Sequence, residues 1–474
     1  MLFYFPRSLS MVFSSPAFLF MFLPIAIAIY YNPFWKSRTF RNKFLLFISL
    51  VFYTCGEPIY ILLLLFSILA GWVAARAIGS SLDPKFRKKI LIADVSFHVL
   101  LLFVFKYLTF TITQLGLLLH TSLINLQIAL PLGISFFTFQ ILSYVFDVYY
   151  QKVPVQKNFF DIALYVALFP QLVAGPIVRY SSIMNEIRTR SESWDLFSDG
   201  MLRFIYGLAK KVLIANYMAQ VADNIFDYGT PGSMATAWLG AIAYTLQIYF
   251  DFSGYSDMAI GLGLMFGFHF PENFNYPYIS KSATEFWRRW HMTLGSWFRD
   301  YVYIPLGGNR VSPARHILNL FIVWALTGIW HGANWTFLCW GLFYFILLVM
   351  EKETGFTKKI GPFAHIYALA AIILGWTLFR SADITSAASY ISVMLNPASG
   401  NLVDSFFWEY LRGSWTVFIP ALLLSLPLYP WLQTRMPCHS PLPIVESICS
   451  AALFVLCLIV ATGSSYNPFI YFNF

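Results

Sequence analysis

Apolar runs about as long as a membrane is thick recur along the whole sequence, and they constrain the fold more than any other feature. The runs near residues 12–31, 90–113 and 316–350 are three examples. A helix needs roughly 20 apolar residues to cross the hydrocarbon core of a bilayer. Of the 474 residues, 58% are hydrophobic and 11% are charged, whereas about 25% of residues are charged in a typical soluble domain. The sequence therefore predicts an all-α, multi-pass membrane protein.

The lengths of these runs are uneven, which bears on how they cross the membrane. Several runs are too short to cross alone and others are too long to cross once. This favours broken or re-entrant helices, whose backbone must be buried in protein or line a cavity. The predicted spans lie near residues 12–31, 44–54 continuing into 59–78, 90–113, 115–149, 160–178, 201–222, 235–268, 316–350, 363–379, 415–434 and 444–462.

The chain as a whole is predicted to be one membrane-embedded domain over residues 1–474. It shows no clear internal repeat, which disfavours a transporter built from inverted repeats. Met11 is an alternative start, and its use would leave residues 1–10 upstream of the protein.

The positive residues fall in a few loops and predict the orientation. Lys and Arg cluster at residues 36–43, 83–89 and 351–359, and such clusters favour the cytoplasmic face. The formal net charge of +9 is explained by the gathering of Lys and Arg in cytoplasmic loops, so lipid is the expected partner and nucleic acid is not. Both termini are then predicted to lie outside, including the C-terminal tail 463–474.

An aromatic and basic segment, residues 281–310, interrupts the apolar runs. Tryptophans and tyrosines interleave there with arginines that include Arg288 and Arg289. This pattern is typical of a helix that lies in the headgroup plane, with its aromatic side chains towards lipid and its arginines towards water. A simple membrane anchor explains the pattern. A basic patch for an anionic donor, such as a nucleotide-containing thioester or a phosphopantetheine carrier, explains it as well.

Two carboxylates, Asp251 and Asp257, fall within an otherwise apolar run. A charged side chain at the centre of a membrane helix costs roughly 2.5–3.5 kcal/mol on insertion scales, so each carboxylate needs a reason to be there. Two interpretations remain open. The carboxylates hydrogen-bond to neighbouring helices or cap a helix broken at Gly254, or they line a polar cavity that holds reacting groups.

The histidine His331 stands in the motif Trp-His-Gly-Ala-Asn-Trp, in the middle of the apolar run 316–350. Basic residues flank this run on both sides, so we predict a tight hairpin whose turn lies inside the membrane. A lone histidine on an apolar face is usually a satisfied core residue. Here Gly332 and Asn334 make a polar turn that a packed core would not need. We therefore predict that His331 is catalytic, with Trp330 and Asn334 in supporting positions.

A second histidine, His291, lies in the aromatic segment and is the second candidate. Two histidines raise the question of a metal site. However, neither a His-x-x-x-His pair nor a carboxylate cluster accompanies them, and the five cysteines lack the spacing of metal ligands. No phosphate-binding loop or dinucleotide fingerprint is present in the sequence. We expect neither a metal nor a bound cofactor.

Seven segments distributed over the chain match one known family. They are MVFSSPAFLFMFLP (11–24), FPQLVAGPI (169–177), QIYFDFSGYSDMAIGLGLMFGF (247–268), FNYPYISKSATEFWRRWHMTLGSWFRDYVYIPLGGNR (274–310), WALTGIWHGANWTFLCWG (324–341), GWTLFR (375–380) and the end YNPFIYFNF. With these motifs in this order over nearly its whole length, the chain resembles the membrane-bound O-acyltransferases, in the bacterial branch of alginate O-acetylation proteins.

The resemblance implies a location in the inner membrane of a bacterium, a fold, and the positions of two functional residues. The fold would be a ring of roughly 11 transmembrane helices, together with re-entrant helices, around a central catalytic tunnel. The family's essential histidine falls on His331, and its second functional position falls on His291. Both positions agree with the candidates chosen from the residues alone.

The resemblance also implies a reaction. An acyl thioester, either acetyl-CoA or an acyl carrier, would be held from the cytoplasmic side. His331 would be the general base that takes the proton of the attacking hydroxyl. His291, Asn334 or a backbone N–H would hold the developing oxyanion, and a water-poor tunnel would limit hydrolysis of the thioester.

The C-terminal segment Phe469-x-Tyr471-x-x-Phe474 is similar to an ending found among proteins that move acyl groups across bacterial membranes. We predict that Tyr471 enters the tunnel from the outer face of the membrane and accepts the acyl group as an ester. It then passes the acyl group to a periplasmic partner of the SGNH-type acetyltransferase class. The alternative is an aromatic anchor at the membrane interface, where tyrosines are common.

The predicted function is acyl transfer, most simply of acetyl groups, across the membrane for O-acetylation of an exopolysaccharide such as alginate or of a cell-wall glycan. Two other functions remain open from the sequence. One is a polytopic transporter or flippase, and the other is a non-catalytic scaffold of a polysaccharide-modification complex. A scaffold should tolerate the loss of His331, whereas an acyltransferase should not.

Overall fold

The computed structural model describes residues 11–121, 126, 128–396, 401–435, 442–463 and 466–470. Within these ranges the regular structure is helical, and no β-strand occurs. The all-α prediction is therefore confirmed. The described residues divide into two compact units, unit 1 within Met1–Phe204 and Ser256–Pro271, and unit 2 within Ile205–Tyr255 and Glu272–Phe474. A single domain over the whole chain stays a prediction.

Unit 1 contains the first helices of the chain. They are a π-helical stretch Phe18–Phe22, α1 (Leu23–Tyr30), α2 (Arg38–Gly56), α3 (Ile61–Ser80), α4 (Pro84–Leu102), a π-helical stretch Phe103–Tyr107, α5 (Leu108–Leu118), α6 (Ile134–Tyr149), α7 (Phe159–Ala167), α8 (Phe169–Leu172), α9 (Tyr180–Thr189) and most of α10 (Trp194–Ala209).

Unit 2 contains the helices that follow. They are a π-helical stretch Lys210–Ala215, α11 (Asn216–Phe226), most of α12 (Met234–Met265), a 3₁₀ turn Pro277–Ile279, α13 (Ala283–Arg289), α14 (Met292–Phe298), a π-helical stretch Arg299–Tyr303, α15 (Pro313–His331), α16 (Trp335–Thr354), α17 (Phe356–Lys359), a 3₁₀ turn Gly361–Phe363, α18 (Ala364–Arg380), α19 (Ile384–Leu395), α20 (Ser405–Leu424), α21 (Leu428–Gln433) and α22 (Leu442–Gly463).

Five helices among the described residues are long and apolar enough to cross a membrane. They are Ile61–Ser80, Pro84–Leu118, Trp335–Thr354, Gly361–Arg380 and Val445–Gly463. The protein is therefore a multi-pass membrane protein, as the apolar runs predict. The full count of roughly 11 spans stays a prediction, because other predicted spans form shorter or more polar helices.

Local signals in the sequence explain where several helices begin. Asp83 accepts a hydrogen bond from the N–H of Lys85 at 2.9 Å and precedes a proline at the first position of α4. A carboxylate cap satisfies an N–H that has no partner within the helix, and proline lacks that N–H altogether. Asn158 caps α7 in the same way. These starts could be placed from the sequence alone.

A cluster of charged side chains around Glu192 lies in unit 1. Glu192 accepts hydrogen bonds from Arg38 at 2.5 and 3.0 Å, from Arg41 at 2.9 Å and from the hydroxyl of Tyr30 at 2.5 Å. Burial by itself would raise the pKa of Glu192, but these hydrogen bonds and the positive charge of Arg38 and Arg190 outweigh it and lower the pKa to about 2. Arg38 and Arg41 come from the basic loop that the sequence predicts to be cytoplasmic.

Candidate active site

The predicted hairpin is present in unit 2 as α15 and α16, which are joined by the short turn 332–334. Two glycines let the helices touch. A Cβ on Gly341 would lie 2.4 Å from the carbonyl oxygen of Trp324, and a Cβ on Gly328 would lie 2.5 Å from that of Phe337. Real side chains do not fit at such distances, so close helix packing here depends on glycine, as it often does in membranes. The close approach fixes the position of the turn.

His331 is the last residue of α15 and is 3% exposed. Three aromatic rings surround its imidazole. The ring centroids of Trp330, Trp340 and Phe379 lie 5.0, 4.9 and 5.2 Å away, all with nearly perpendicular planes. Edge-to-face packing of this kind holds a ring in a defined orientation. We call these three rings the aromatic box.

The predicted supporting residue Asn334 shapes the turn. Its side-chain oxygen accepts a hydrogen bond from the N–H of Thr336 at 3.1 Å and so caps α16. Its amide nitrogen donates to the carbonyl of Ala382 at 2.7 Å. Both ends of the carboxamide therefore anchor the hairpin. A direct role of Asn334 towards an oxyanion stays a prediction.

His291 immediately precedes α14 and is 2% exposed. Its φ angle is +43°, a left-handed conformation that is uncommon for a residue with a side chain and is often retained at functional sites. Its Nδ1 lies 3.0 Å from the side-chain oxygen of Asn273. This oxygen also accepts from the N–H of Thr293 at 3.3 Å and from the hydroxyl of Thr293 at 2.8 Å.

The contacts of Asn273 determine the tautomer of His291. A backbone N–H can only donate, so the Asn273 atom that faces Thr293 must be the oxygen, and Nδ1 of His291 must carry the proton that it shares with this oxygen. In the neutral ring Nε2 then carries the lone pair. Sequence reasoning missed Asn273, which lies 18 residues before His291. A lone asparagine in a loop carries no sequence signal that would have found it.

The structure brings the two predicted histidines together around one tryptophan. The Trp330 ring lies 5.0 Å from the His331 ring and 6.1 Å from the His291 ring, measured between centroids. The His291 ring also packs against the ring of Phe252 in α12, with ring centroids 4.7 Å apart. Two buried imidazoles that share an aromatic neighbour form the candidate active site. Trp330 lies next to both rings, and its supporting role in catalysis stays a prediction.

The two aspartates of the apolar run have different partners. Asp251 forms an ion pair with Lys211 within unit 2, with 2.7 Å between Nζ and Oδ1. Asp257 belongs to unit 1 and pairs with Arg203, whose Nε and Nη2 lie 2.7 and 2.6 Å from Oδ1. Both contacts are ion pairs with a neighbouring helical stretch, and the pair of Asp257 with Arg203 is also hydrogen-bonded. Sequence reasoning missed both basic partners, because each lies tens of residues away along the chain.

The segment 281–310 forms two short helices, α13 and α14, followed by the π-helical stretch. Trp290 is 2% exposed and packs against Trp376, with centroids 4.8 Å apart. Arg289 pairs with Glu285 at 3.0 Å, and Arg288 is exposed. Part of the aromatic face therefore packs inside unit 2. The interfacial position of this segment stays a prediction.

A buried carboxylate attaches this segment to the hairpin. Glu351 of α16 accepts hydrogen bonds from the N–H groups of Ala283 and Thr284 at 2.6 and 3.0 Å, and from the hydroxyl of Thr284 at 2.7 Å. The carboxylate thus caps α13 from another helix, and its charge suits a helix N-terminus. Glu351 was not among the predicted site residues, although it holds α13 in place.

Within the part of the chain that the structure describes, no group of three or more His, Cys, Asp and Glu side chains could hold a metal ion. The predicted relay residue Tyr471 lies outside the described residues. The candidate site thus consists of the two histidines, the rings around them and the hydrogen bonds that orient them.

Comparison with known proteins decides the family. The model of MBOAT, the membrane-bound O-acyltransferase family, matches residues 1–375. The chain belongs to this family. The resemblance seen in the motifs is confirmed, and the MBOAT match includes both His291 and His331.

Individual relatives of this MBOAT protein are similar over most of their length. A probable alginate O-acetylase AlgI of Pseudomonas putida is 36% identical over 490 aligned positions, covering 98% of this chain and all of the relative. The protein of the same name from Pseudomonas aeruginosa is 41% identical over 385 positions, covering 80% of this chain and 73% of the relative. A peptidoglycan O-acetyltransferase of Helicobacter pylori is 36% identical over 424 positions, covering 82% and 80% respectively.

Proposed function

We propose that this MBOAT protein transfers an acyl group, most simply acetyl, from a cytoplasmic thioester across the membrane for O-acetylation of an exopolysaccharide such as alginate or of a cell-wall glycan. The observation that carries the proposal is the pair of buried histidines around Trp330. The names of the relatives, which refer to O-acetylation of alginate and of peptidoglycan, support this class of acceptor.

His331 is the general base of the proposed reaction. It takes the proton from the acceptor hydroxyl as the oxygen attacks the thioester carbonyl. The new C–O bond forms, the carbonyl oxygen carries negative charge in the intermediate, and the C–S bond then breaks to release the thiol, which takes up the proton. An alcohol does not ionise appreciably near pH 7, so a base at this position contributes a large part of the rate. The aromatic box keeps water away from the thioester.

His291 has a second role that follows from its tautomer. Its Nδ1–H is held by Asn273, so in the neutral ring Nε2 accepts a hydrogen bond and cannot donate one. Such a nitrogen suits the acceptor hydroxyl better than an oxyanion. We therefore assign to His291 the orientation of the attacking hydroxyl, and we assign the oxyanion to a backbone N–H or to Asn334.

The donor is an acyl thioester that carries phosphate groups, either acetyl-CoA or a phosphopantetheine carrier. Arg288 is exposed on α13 and could pair with such a phosphate, whereas Arg289 is already paired with Glu285. Arginine suits phosphate because its planar guanidinium donates two parallel hydrogen bonds. No metal or bound cofactor has a part in this reaction.

The path of the acyl group completes the proposal. Roughly 11 spans and re-entrant helices surround a central tunnel, with the basic loops in the cytoplasm and both termini outside. Tyr471 accepts the acyl group as an ester, and a periplasmic acetyltransferase of the SGNH type transfers it to the glycan. Mass spectrometry of the C-terminal peptide, with a Tyr471→Phe variant, tests the ester: no acylated Tyr471 and full activity of the variant would exclude this step.

The test of the enzyme proposal uses purified protein in liposomes, and a labelled acetyl thioester is supplied on the cytoplasmic face of the protein. Thiol release and the position of the label are followed in the wild type, in His331→Ala and in His269→Ala. His269 is an exposed histidine paired with Glu186, so it is the matched control. Acyl transfer predicts thiol release and labelled acceptor in the wild type and the control, and neither in His331→Ala.

Two other results would overturn the proposal. If the intact thioester crosses the membrane without thiol release, the protein is a transporter. If His331→Ala supports glycan acetylation in cells as well as the wild type does, the protein is a scaffold and His331 is structural.

A further inference from the structure

The last described residues of the chain, 466–470, form a segment that is bound in unit 2 and has no regular secondary structure over 466–469. Tyr466 donates a hydrogen bond to Asp223 at 2.5 Å, and Asp223 in turn pairs with Arg380 at 2.9 Å. Phe469 and Ile470 are 7% and 8% exposed. This segment, which we call the bound tail, is held by several contacts.

The strongest of these contacts come from the ion pair between Lys211 and Asp251. The side chains of Lys211 and Asp251 are 4% and 2% exposed. Lys211 also donates a hydrogen bond to the carbonyl of Pro468, and the N–H of Ile470 donates to Oδ2 of Asp251 at 2.9 Å. One main-chain acceptor and one main-chain donor of the bound tail thus meet the two opposite charges of the pair.

The side chain between these two anchor points packs against the same elements. The rings of Phe469 and Tyr255 are nearly parallel, with centroids 4.9 Å apart. Nζ of Lys211 lies 5.7 Å from the centroid of the Phe469 ring. Lys211 and α12 therefore contact the bound tail through both its main chain and its side chain.

Local structure brings Lys211 and Asp251 close together. Lys211 lies in the π-helical stretch between α10 and α11, and single π-helical turns are frequent at functional sites. A Cβ on Gly254 of α12 would lie 2.8 Å from the carbonyl oxygen of Gly207 and 3.2 Å from the N of Lys211. Only glycine allows α12 to approach this stretch so closely.

A buried ion pair is an expensive way to hold two helices together. Desolvation costs each charge several kcal/mol, and apolar side chains of similar volume would often stabilise the fold as well. The pair makes more sense if its charges are needed for recognition. Here both charges bind main-chain groups of the bound tail, which apolar side chains could not do.

The ion pair and the candidate active site share α12. Asp251 contacts the bound tail, and the next residue, Phe252, packs against the ring of His291. Tyr471, the proposed acyl acceptor, is the next residue after Ile470 in the sequence. Contacts that hold Ile470 therefore also restrict the position of Tyr471.

We propose that Lys211 and Asp251 form a main-chain clamp that holds the bound tail and so positions the C-terminal residues for the acyl transfer. Lys211 and Asp251 are positioning residues, because they act through the tail and do not touch the reacting atoms. This inference rests on the proposed function for its kinetic part. The holding of the tail itself can be tested without any enzymatic activity.

The decisive variant exchanges the two charges, Lys211→Asp with Asp251→Lys. The exchanged pair keeps an ion pair between the helices, but an aspartate at 211 cannot donate to the carbonyl of Pro468 and a lysine at 251 cannot accept from the N–H of Ile470. If the pair only joins the helices, the exchanged variant should still hold the bound tail. If the pair is a clamp, the exchanged variant should release it. Lys211→Met with Asp251→Leu is the second variant, used if the exchanged pair does not fold.

Release of the tail is measured by maleimide labelling of Ile470→Cys in purified protein. The native cysteines, Cys55, Cys339, Cys438, Cys449 and Cys457, are first replaced by alanine. Since a buried thiol reacts only when its segment opens, we expect labelling at least ~10-fold faster in the exchanged variant than with the native pair. The control is Asp94→Leu with His98→Leu, a buried pair in unit 1 whose loss should leave the labelling rate unchanged.

The kinetic part uses the liposome assay with the native residue at position 470. We expect kcat for transfer to fall roughly 10- to 100-fold in the exchanged variant, because a small misplacement of a reacting group has an effect of this size. The KM for the thioester should stay within about twofold of the wild-type value, because the donor does not bind the clamp.

Each outcome decides one part of the inference. A labelling rate equal to that of the native pair overturns the clamp. Faster labelling with unchanged kcat shows that the clamp exists and overturns its positioning role. If the wild type itself transfers no acyl group, the proposed function fails, and the labelling experiment still decides whether the clamp holds the tail.

Discussion

The aromatic box around His331 and the charged cluster around Glu192 show two ways in which this protein buries a titratable side chain. Glu192 is surrounded by arginines and a tyrosine hydroxyl that compensate its charge. His331 is surrounded by the rings of Trp330, Trp340 and Phe379, which hold its imidazole in a defined orientation. The first arrangement keeps the Glu192 carboxylate ionised. The second suits a group that must take up a proton during a reaction.

The two arrangements should therefore respond differently to mutation. Replacement of His331 should lower activity much more than stability, and changes in the charged cluster should lower stability alone. The following tests run from the largest expected effect to the smallest.

Replacing the imidazole should have the largest effect. In His331→Gln the side chain remains polar and similar in size but cannot act as a base, so kcat should fall roughly 10²- to 10⁴-fold, the usual contribution of general base catalysis. Thermal unfolding of the purified variant should stay close to that of the wild type. A variant that loses activity only in proportion to its folded fraction would show that His331 is structural, and the contrast with Glu192 would disappear.

The hairpin that carries His331 should be intolerant of added volume. Gly341→Ala places a methyl group 2.4 Å from the carbonyl of Trp324, which forces α15 and α16 apart. Overpacking of this kind costs about 1–3 kcal/mol, measured as a loss of unfolding free energy in detergent. Gly413→Ala in α20 is the matched control, because a Cβ there meets nothing within 4 Å. Equal stability of the two variants would contradict the close approach of α15 and α16.

His291 has both aromatic contacts and one oriented hydrogen bond. Mutation of Asn273 tests the contribution of the hydrogen bond and leaves the aromatic contacts in place. Asn273→Ala removes the acceptor for Nδ1 of His291 and for Thr293. An unmade buried hydrogen bond costs about 1–3 kcal/mol, so kcat should fall roughly 10- to 100-fold.

The conservative variant distinguishes orientation from packing. Asn273→Asp keeps an acceptor at the same place, so activity should be restored at high pH. Its negative charge favours the protonated ring of His291, so the acidic limb of the pH–rate profile should move to higher pH. An unchanged profile in Asn273→Asp would show that Asn273 does not act through His291.

The charged cluster should show the smallest effect, and one that depends on pH. The pKa of Glu192 is about 2 in the folded protein, against a reference value of 4.5. A lowered pKa contributes stability that is present above the unfolded value and is lost as the pH falls through the folded value. Glu192→Gln should therefore unfold at a lower temperature than the wild type at pH 6, and the difference should shrink between about pH 4.5 and 2. The exposed Glu409 offers the control, Glu409→Gln, whose effect should be small throughout this range. A constant difference would contradict the low pKa.

Much of the candidate site could be predicted from the sequence because membrane burial makes polar residues conspicuous. His331 and Asp251 stand out within apolar runs, where each needs a specific reason. The hairpin turn could be placed because Gly332 and Asn334 interrupt one such run. The helices themselves follow from apolar length and from caps such as Asp83.

Partners distant along the chain could not be predicted in the same way. Lys211 stands beside Lys210 within the predicted span 201–222, and nothing in the sequence shows that it pairs with Asp251 and contacts the bound tail. Asn273 sits in a loop and orients His291. Nothing in the spacing of these residues links them, because they meet only when separate helices pack.

The sequence by itself determined that the chain is helical and lies in a membrane, and it singled out His331 and His291. These properties follow from local composition, since apolar length and isolated polar residues have the same meaning in any fold of a bilayer. Only the tertiary structure decided that both histidines border Trp330, that Asn273 fixes a tautomer, and that Lys211 and Asp251 contact the bound tail. These contacts depend on how closely helices that are distant along the chain approach one another. Glycine positions and side-chain packing together set that distance, and no local sequence pattern shows it.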